Sequence, residues 1–338
     1  MHKKTLELFA ALKRNSILKP FLKAAFIYYK KSGLDIRHTH IASFHSEAWK
    51  EYCRANGNKI GELMDGLKSG MDESSRELAD RVYLANVEIT PSLKYSNMLR
   101  YPAALLDKNY DPALHFDVIA SKFPYKIPYE AGTSLNTAWY RCGLDDTDET
   151  KARLNGSVII DLGAFFGDSA LILSEYSPSK IYAFEPQKDN FELMRETIRA
   201  NGKENVIEPV QLAAYKKDGH LTIFGEGQNA SIIPDDTKKQ TLKEEIPCVS
   251  IDSFIDKLNR PKVGFIKMDI EGGEYDAIDG AIETIKRDRP IMNISVYHRA
   301  KDFFEIKPMI EKLNLGYEFS LKKCFSGSGT YEIMLICR

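Results

Sequence analysis

The nonapeptide Asp161-Leu162-Gly163-Ala164-Phe165-Phe166-Gly167-Asp168-Ser169 joins an apolar run, SVIIDL (157–162), to the start of a helical pattern. A strand that ends in a glycine loop and turns directly into a helix is the opening unit of an open α/β sheet. Gly163 permits a sharp turn and a close approach of a ligand to the backbone, and Gly167 permits close packing or positive φ at the helix start. A dinucleotide loop requires G-x-G-x-x-G, whereas here Phe165 holds the place of the second glycine and Asp168 that of the third. A carboxylate at that point caps the helix and repels a pyrophosphate.

Working outward, short apolar runs alternate with helical patterns from about Leu154 onward. KIYAF (180–184), residues 206–213, VGFIKM (263–268) and IMNISV (291–296) read as further buried strands. Residues 189–200 place Phe191, Met194 and Ile198 at helical spacing before the stop signal Asn201-Gly202. Between 215 and 250 the glycines and Pro234 around an alternating run at 220–224 predict a hairpin or loop insertion, and 317–321 and 331–336 predict two final antiparallel strands. Two further motifs fall at strand ends. Glu185-Pro186 follows the second strand, where an acid can accept hydrogen bonds from both ribose hydroxyls of an adenosine. Lys267-Met-Asp269-Ile-Glu271-Gly-Gly-Glu274 leaves the fourth, at the edge where open α/β sheets bind ligands. Its acids suit a general base, divalent-ion ligands or helix caps; Glu271 and Glu274 are as consistent with capping as with chemistry. A cofactor without phosphate that carries a sulfonium and an ammonium, S-adenosylmethionine, suits Asp161 and Asp168 better than a dinucleotide does.

The combination D-x-G-A-x-x-G-D, strand-end E-P and K-M-D-I-E-G-x-E resembles the FkbM-family methyltransferases over roughly residues 155–337. The resemblance implies an α/β, Rossmann-like class I methyltransferase fold: a mostly parallel seven-stranded sheet, its last strand inserted antiparallel, with helices on both faces. It also implies S-adenosylmethionine as cofactor and O-methylation of sugars or secondary metabolites. The cofactor would then meet Asp161, Gly163, Ala164, Gly167, Asp168, Ser169, Glu185 and Asp269. Asp269 and His298 are the candidate proton acceptors, His298 because its ordinary pKa lies near neutrality. Glu271, Tyr297 and Arg299 are candidates for shaping the acceptor pocket. Asp269, Glu271 and His298 offer donors to a divalent metal, though their spacing matches no metal signature.

The rest of the chain narrows the class of function. Forty-seven basic residues against 48 acidic ones leave a net charge of −1, so no global field points to nucleic acid. The five cysteines are scattered and read as reduced thiols, and no apolar run approaches the ~20 residues of a membrane helix. The expectation is a cytoplasmic protein. Residues 1–150 lack the β/α rhythm of 151–338 and read as a mainly helical region for acceptor binding or oligomerisation. The first 31 residues hold eight Lys/Arg and one acid, Glu7, amid Leu6, Phe9, Leu12, Leu18, Leu22, Phe26 and Ile27. Such a stripe fits a docked helix or weak peripheral membrane contact. His38, His40 and His45 lie close together without the partners of a metal site, and Trp139-Tyr140-Arg141 suits core packing or stacking on a sugar. Two alternatives to an enzyme of this type are a non-catalytic S-adenosylmethionine-binding scaffold or sensor, and a NAD-dependent oxidoreductase that Asp168 disfavours.

Overall fold

In a computed structural model the described residues are 46–83, 86–87, 119, 121–127, 135–224, 243–324 and 332–338. The first strand, β1 (Val158–Leu162), is buried along its whole length. Alternate side chains of a strand face opposite sides, and here Val158, Ile160 and Leu162 enter one apolar core while Ile159 enters a second. Each face is therefore covered, which is why the sequence of this strand is almost continuously apolar.

β1 lies between β2 (Lys180–Phe184) and β7 (Val263–Met268), parallel to both. With β3 (Ile207–Val210), β8 (Ile291–Ser295), β9 (Phe319–Lys323) and β10 (Ile333–Cys337) the order is β3-β2-β1-β7-β8-β10-β9. β10 runs antiparallel to both β8 and β9, giving the seven-stranded, mostly parallel sheet that the sequence predicts. Helices α5 (Asp148–Leu154), α6 (Asp168–Leu173) and α7 (Lys188–Ala200) supply Leu154, Leu171, Met194 and Ile198 to one core. α8 (Ile251–Lys257), α9 (Glu274–Asp279), α10 (Ile282–Asp288) and α11 (Ala300–Glu311) line the other.

The run 206–213 is not one strand. It ends as β3 at Val210, an edge strand that tolerates Pro209 because an outer edge needs no donor there. Ala213–Ala214 (β4) instead joins a second, three-stranded sheet with β5 (Gly219–Phe224) and β6 (Lys243–Val249), the latter two forming the expected hairpin. Residues 225–242 between them lie outside the described residues.

Within the N-terminal region, α1 (Ser46–Ala55), α2 (Ile60–Lys68), α3 (Glu73–Tyr83) and α4 (Asn136–Trp139) are helical as predicted. Trp49 is fully buried against Phe303, 5.1 Å between ring centroids, and Tyr52 stacks on Phe304 at 5.7 Å. The buried Lys307 ammonium donates to the Gly66 carbonyl at 3.1 Å and pairs with Glu311. Ser75 of α3 accepts the Leu321 N–H at 2.9 Å, so a helix covers part of the exposed margin of the sheet at β9. The basic stripe of residues 1–31 and the three histidines at 38–45 fall outside the described residues. All five cysteines are free and buried, and no described helix is long and apolar enough to cross a membrane.

Candidate active site

The carboxyl ends of β1, β2, β7 and β8 converge on one edge, and two clusters of charge meet there. The first is built by strand register. Asp161 and Lys267 are direct partners across β1 and β7, both inside the protein, with the ammonium 3.2 Å from Asp161 Oδ1. Lys267 also donates to the Gly163 carbonyl at 2.7 Å, and the Ser169 hydroxyl donates to Asp161 Oδ2 at 2.6 Å. Burial acts to depress the Lys267 pKa, but Asp161 and then Asp269 outweigh it and raise it. Asp168, the first residue of α6, shares this space: burial pushes its pKa up to about 7, assisted by Asp161 and opposed by Lys267.

The glycine loop has a different reason for its glycines than ligand access alone. A Cβ on Gly163, which sits at φ +76°, would lie 1.8 Å from the Asp269 carbonyl oxygen. Only glycine lets the loops after β1 and β7 touch, and that contact sets where Asp269 stands. Gly167 adopts φ +91° at the start of α6, packed against Met194. Ala164 is buried and its N–H donates to the Phe184 carbonyl at 2.9 Å. Phe165, where a dinucleotide loop carries glycine, adopts φ +47° and packs against Phe166, which anchors the loop among Ile119, Leu135 and Ala138.

Glu185 stands at the tip of β2, 6% exposed. Its Oε1 accepts the Gln187 N–H at 3.0 Å and the Asn190 amide at 3.4 Å. Burial nonetheless pushes its carboxyl up to about 7, against the Gln187 N–H, the Asn190 amide and the Phe165 N–H.

The second cluster surrounds His298, which is 1% exposed. Its Nδ1 lies 3.0 Å from Glu274 Oε1, and its Nε2 lies 3.6 Å from Asp269 Oδ1 and 3.5 Å from Glu271 Oε2. Burial works against protonation, yet Glu271 and Glu274 outweigh it and hold the His298 pKa well above its usual value. The fully buried Glu274 is pushed up by desolvation but held below the usual carboxylate range by His298. Asp269, Glu274 and His298 bring donor atoms within 4.8 Å of one another. They already serve each other as an ion pair, in which the imidazolium is the cation. The buried Tyr297 hydroxyl lies 3.4 Å from Asp269 Oδ1 and 3.4 Å from Glu332 Oε1. Arg299 turns onto Asp302, donating at 2.8 Å and 3.0 Å, and so braces the start of α11.

Residues 161–319 match the model of the methyltransferase FkbM domain. The chain carries an FkbM methyltransferase domain. Among solved structures it is similar to methyltransferase FkbM from Methylobacillus flagellatus KT, at 20% identity and a TM-score of 0.53 over 86% of this chain. The aligned part spans 61% of that protein's length, so the FkbM domain sits here in a chain that matches only part of it. A fainter likeness, at 12% identity and a TM-score of 0.39, links 65% of the chain to 86% of an O-methyltransferase from Bacillus cereus solved with SAH. No curated protein matches the sequence. The mostly parallel seven-stranded sheet with helices on both faces is a class I methyltransferase fold.

The motifs that point to the FkbM domain thus gather at one edge: Asp161, Gly163, Gly167, Asp168, Ser169 and Glu185 on one side, Glu271, Tyr297 and His298 on the other, Asp269 between. Four participants escape a reading of the sequence. Lys267 stands in the octet, and a lysine within a strand buried on both faces is itself a signal that an acid must lie beside it. Asn190 and Thr137 carry no such signal. Glu332 lies just before β10 and is 63 residues from Asp269.

Proposed function

We propose that the protein is an S-adenosylmethionine-dependent O-methyltransferase acting on a hydroxyl of a sugar, glycan or secondary metabolite. One observation carries the reading: the Asp269 backbone packs on the Gly163 loop while its carboxylate faces Tyr297 and His298. A single residue borders both a nucleoside-type site and a proton-accepting cluster. Glu185 would hold the ribose hydroxyls, which add donors to its desolvated carboxyl, and the loop at 163–169 would border the methionine part. The buried Asp161 acts through Lys267 and Ser169, and so fixes the loop instead of touching the ligand. When bound, the cofactor supplies a methyl group on a sulfonium, already activated for transfer to an aligned oxygen.

On this reading Asp269 takes the acceptor's proton. His298, kept protonated by Glu271 and Glu274, orients Asp269 and offsets the clustered acids; it is not the base. Glu271 and Tyr297 border the acceptor, and Thr137 places the N-terminal region beside them. The reading also places the enzyme in the cytoplasm.

Calorimetry of the full chain with S-adenosylmethionine, S-adenosylhomocysteine and NAD tests the cofactor, and release of S-adenosylhomocysteine across a panel of saccharides and phenols tests the acceptor. Binding of both sulfur ligands and not NAD is the expected result, with Asp269→Asn lowering turnover by about 10²- to 10⁴-fold. Failure of both sulfur ligands to bind would overturn the reading. Binding without turnover on any hydroxyl would favour the scaffold or sensor.

A further inference from the structure

We propose that Glu332 is the terminal proton acceptor of the methyl transfer, reached from Asp269 through the hydroxyl of Tyr297. The inference rests on the methyltransferase reading and deepens it by naming where the proton that Asp269 removes goes before the next turnover.

Four segments distant in sequence build this line of groups. Asp269 follows β7, Tyr297 follows β8, Glu332 precedes β10 and Thr137 lies on α4. The Tyr297 oxygen stands 3.4 Å from an oxygen of each carboxyl, a bridging position between them. Catalytic hydrogen bonds of this length tighten when the site is filled. The Thr137 hydroxyl donates to the other Glu332 oxygen at 2.5 Å and fixes the carboxyl's orientation. Glu332 itself adopts φ +55°, a left-handed backbone that a glutamate adopts only where its surroundings hold it. A hairpin strand entered in that conformation aims its first side chain at the site.

The step balances. As the O–CH3 bond forms and the S–CH3 bond breaks, with the electron pair staying on sulfur, the acceptor's proton passes to the Asp269 carboxylate. Asp269 then gives a proton to the Tyr297 oxygen while the proton of that hydroxyl passes to the Glu332 carboxylate. Two O–H bonds break and two form, and the negative charge returns from Glu332 to Asp269. Tyr297 stays neutral outside the transfer, because burial and then Asp269 and Glu332 hold the phenol well above its usual pKa.

The groups facing Glu332 suit it to the end of such a line. Burial and then Asp269 raise its carboxyl to about 7, against Thr137 on α4, His298 beyond β8 and Lys323 on β9. A carboxyl poised there accepts a proton at neutrality and releases it again, and its partial exposure provides the exit to solvent.

Infrared spectroscopy of the full chain, with no acceptor required, tests the connection. The wild type should show the C=O stretch of a protonated carboxyl that disappears as pH rises through about 7. Glu332→Gln should remove one component of that band and leave those of Asp168 and Glu185, which also lie near 7. Tyr297→Phe should move the Glu332 component to higher frequency, since a carbonyl that loses a hydrogen bond stiffens, and Asp269→Asn should lower its midpoint by removing the neighbouring charge. Calorimetry with S-adenosylmethionine should give the same affinity for Glu332→Gln as for wild type, which reports an intact fold. A near-neutral band unchanged in Glu332→Gln, or one in which no component responds to Tyr297→Phe, would overturn the relay while leaving the cofactor reading untouched. Absent cofactor binding in the wild type would instead sink the methyltransferase reading itself.

Discussion

Two buried cations stand at the same edge of one sheet and do different work. Lys267 lies within β7, its register partner Asp161 beside it, and its charge does not change at any ordinary pH. His298 lies just beyond β8 among Asp269, Glu271 and Glu274, and is charged because those acids surround it. The first cation ties the glycine loop after β1 to Asp161. The second is one member of a cluster of titratable groups. A permanent charge buried in a strand suits architecture, whereas a conditional one suits chemistry.

The sharpest way to break this contrast is to remove the lysine. Lys267→Ala strands the Asp161 carboxylate with Ser169 alone among its close partners and should cost about 3–5 kcal/mol. Urea unfolding measures it, and a loss under 1 kcal/mol would show that the pair is not structural. Gly163→Ala should follow, at about 3 kcal/mol, because the new methyl collides with the Asp269 carbonyl in a backbone conformation that alanine resists. If it unfolds at wild-type urea concentration, the two loops are not in contact.

A smaller and more selective effect is expected at Glu185. Glu185→Ala should weaken S-adenosylmethionine by about 10- to 100-fold, the value of hydrogen bonds to a charged group, while leaving the unfolding midpoint near that of the wild type. Equal affinity by calorimetry would place the ribose elsewhere. The smallest effect concerns pH and separates the two cations directly. His298 is raised in the folded protein, so its contribution to stability is complete below its unfolded pKa near 6.5 and is lost as pH rises toward the folded value. Above pH 6.5 His298 should contribute a fall of at most about 1.4 kcal/mol per unit, beside that of Asp168, Glu185 and Glu332, which is complete once pH has passed about 7, and His298→Gln should remove its share. Lys267 contributes no slope in that range, and a slope above about pH 8 that survives in His298→Gln would assign the titration there to another group.

How much of this could be read beforehand depended on the range of the interaction. The strands β1, β2, β7 and β8 declared themselves, because burial on both faces leaves little choice but Val, Ile, Phe and Met. The loop after β1 and the acid after β2 were legible as motifs because each is a local solution to turning a chain at a ligand's edge. The run 206–213 misled, because a single strand and two short strands in different sheets look alike until Pro209 is placed at an edge. His298 was legible as a candidate, but its contacts with Glu271 and Glu274, which raise its pKa, were not, since those carboxylates come from another segment.

By itself the order of residues determined the fold class and most of the side chains gathered at the carboxyl edge of the sheet, through period-two burial, glycine at turns and acids at strand ends. Only the tertiary structure decided what those side chains do to one another. Register set Asp161 against Lys267, 106 positions apart in the chain. The approach of Asp269 to Gly163 made that glycine obligatory, and the last hairpin delivered Glu332 to Tyr297. Protonation states follow from burial and neighbouring charge, and both are properties of three-dimensional distance, which no linear spacing records.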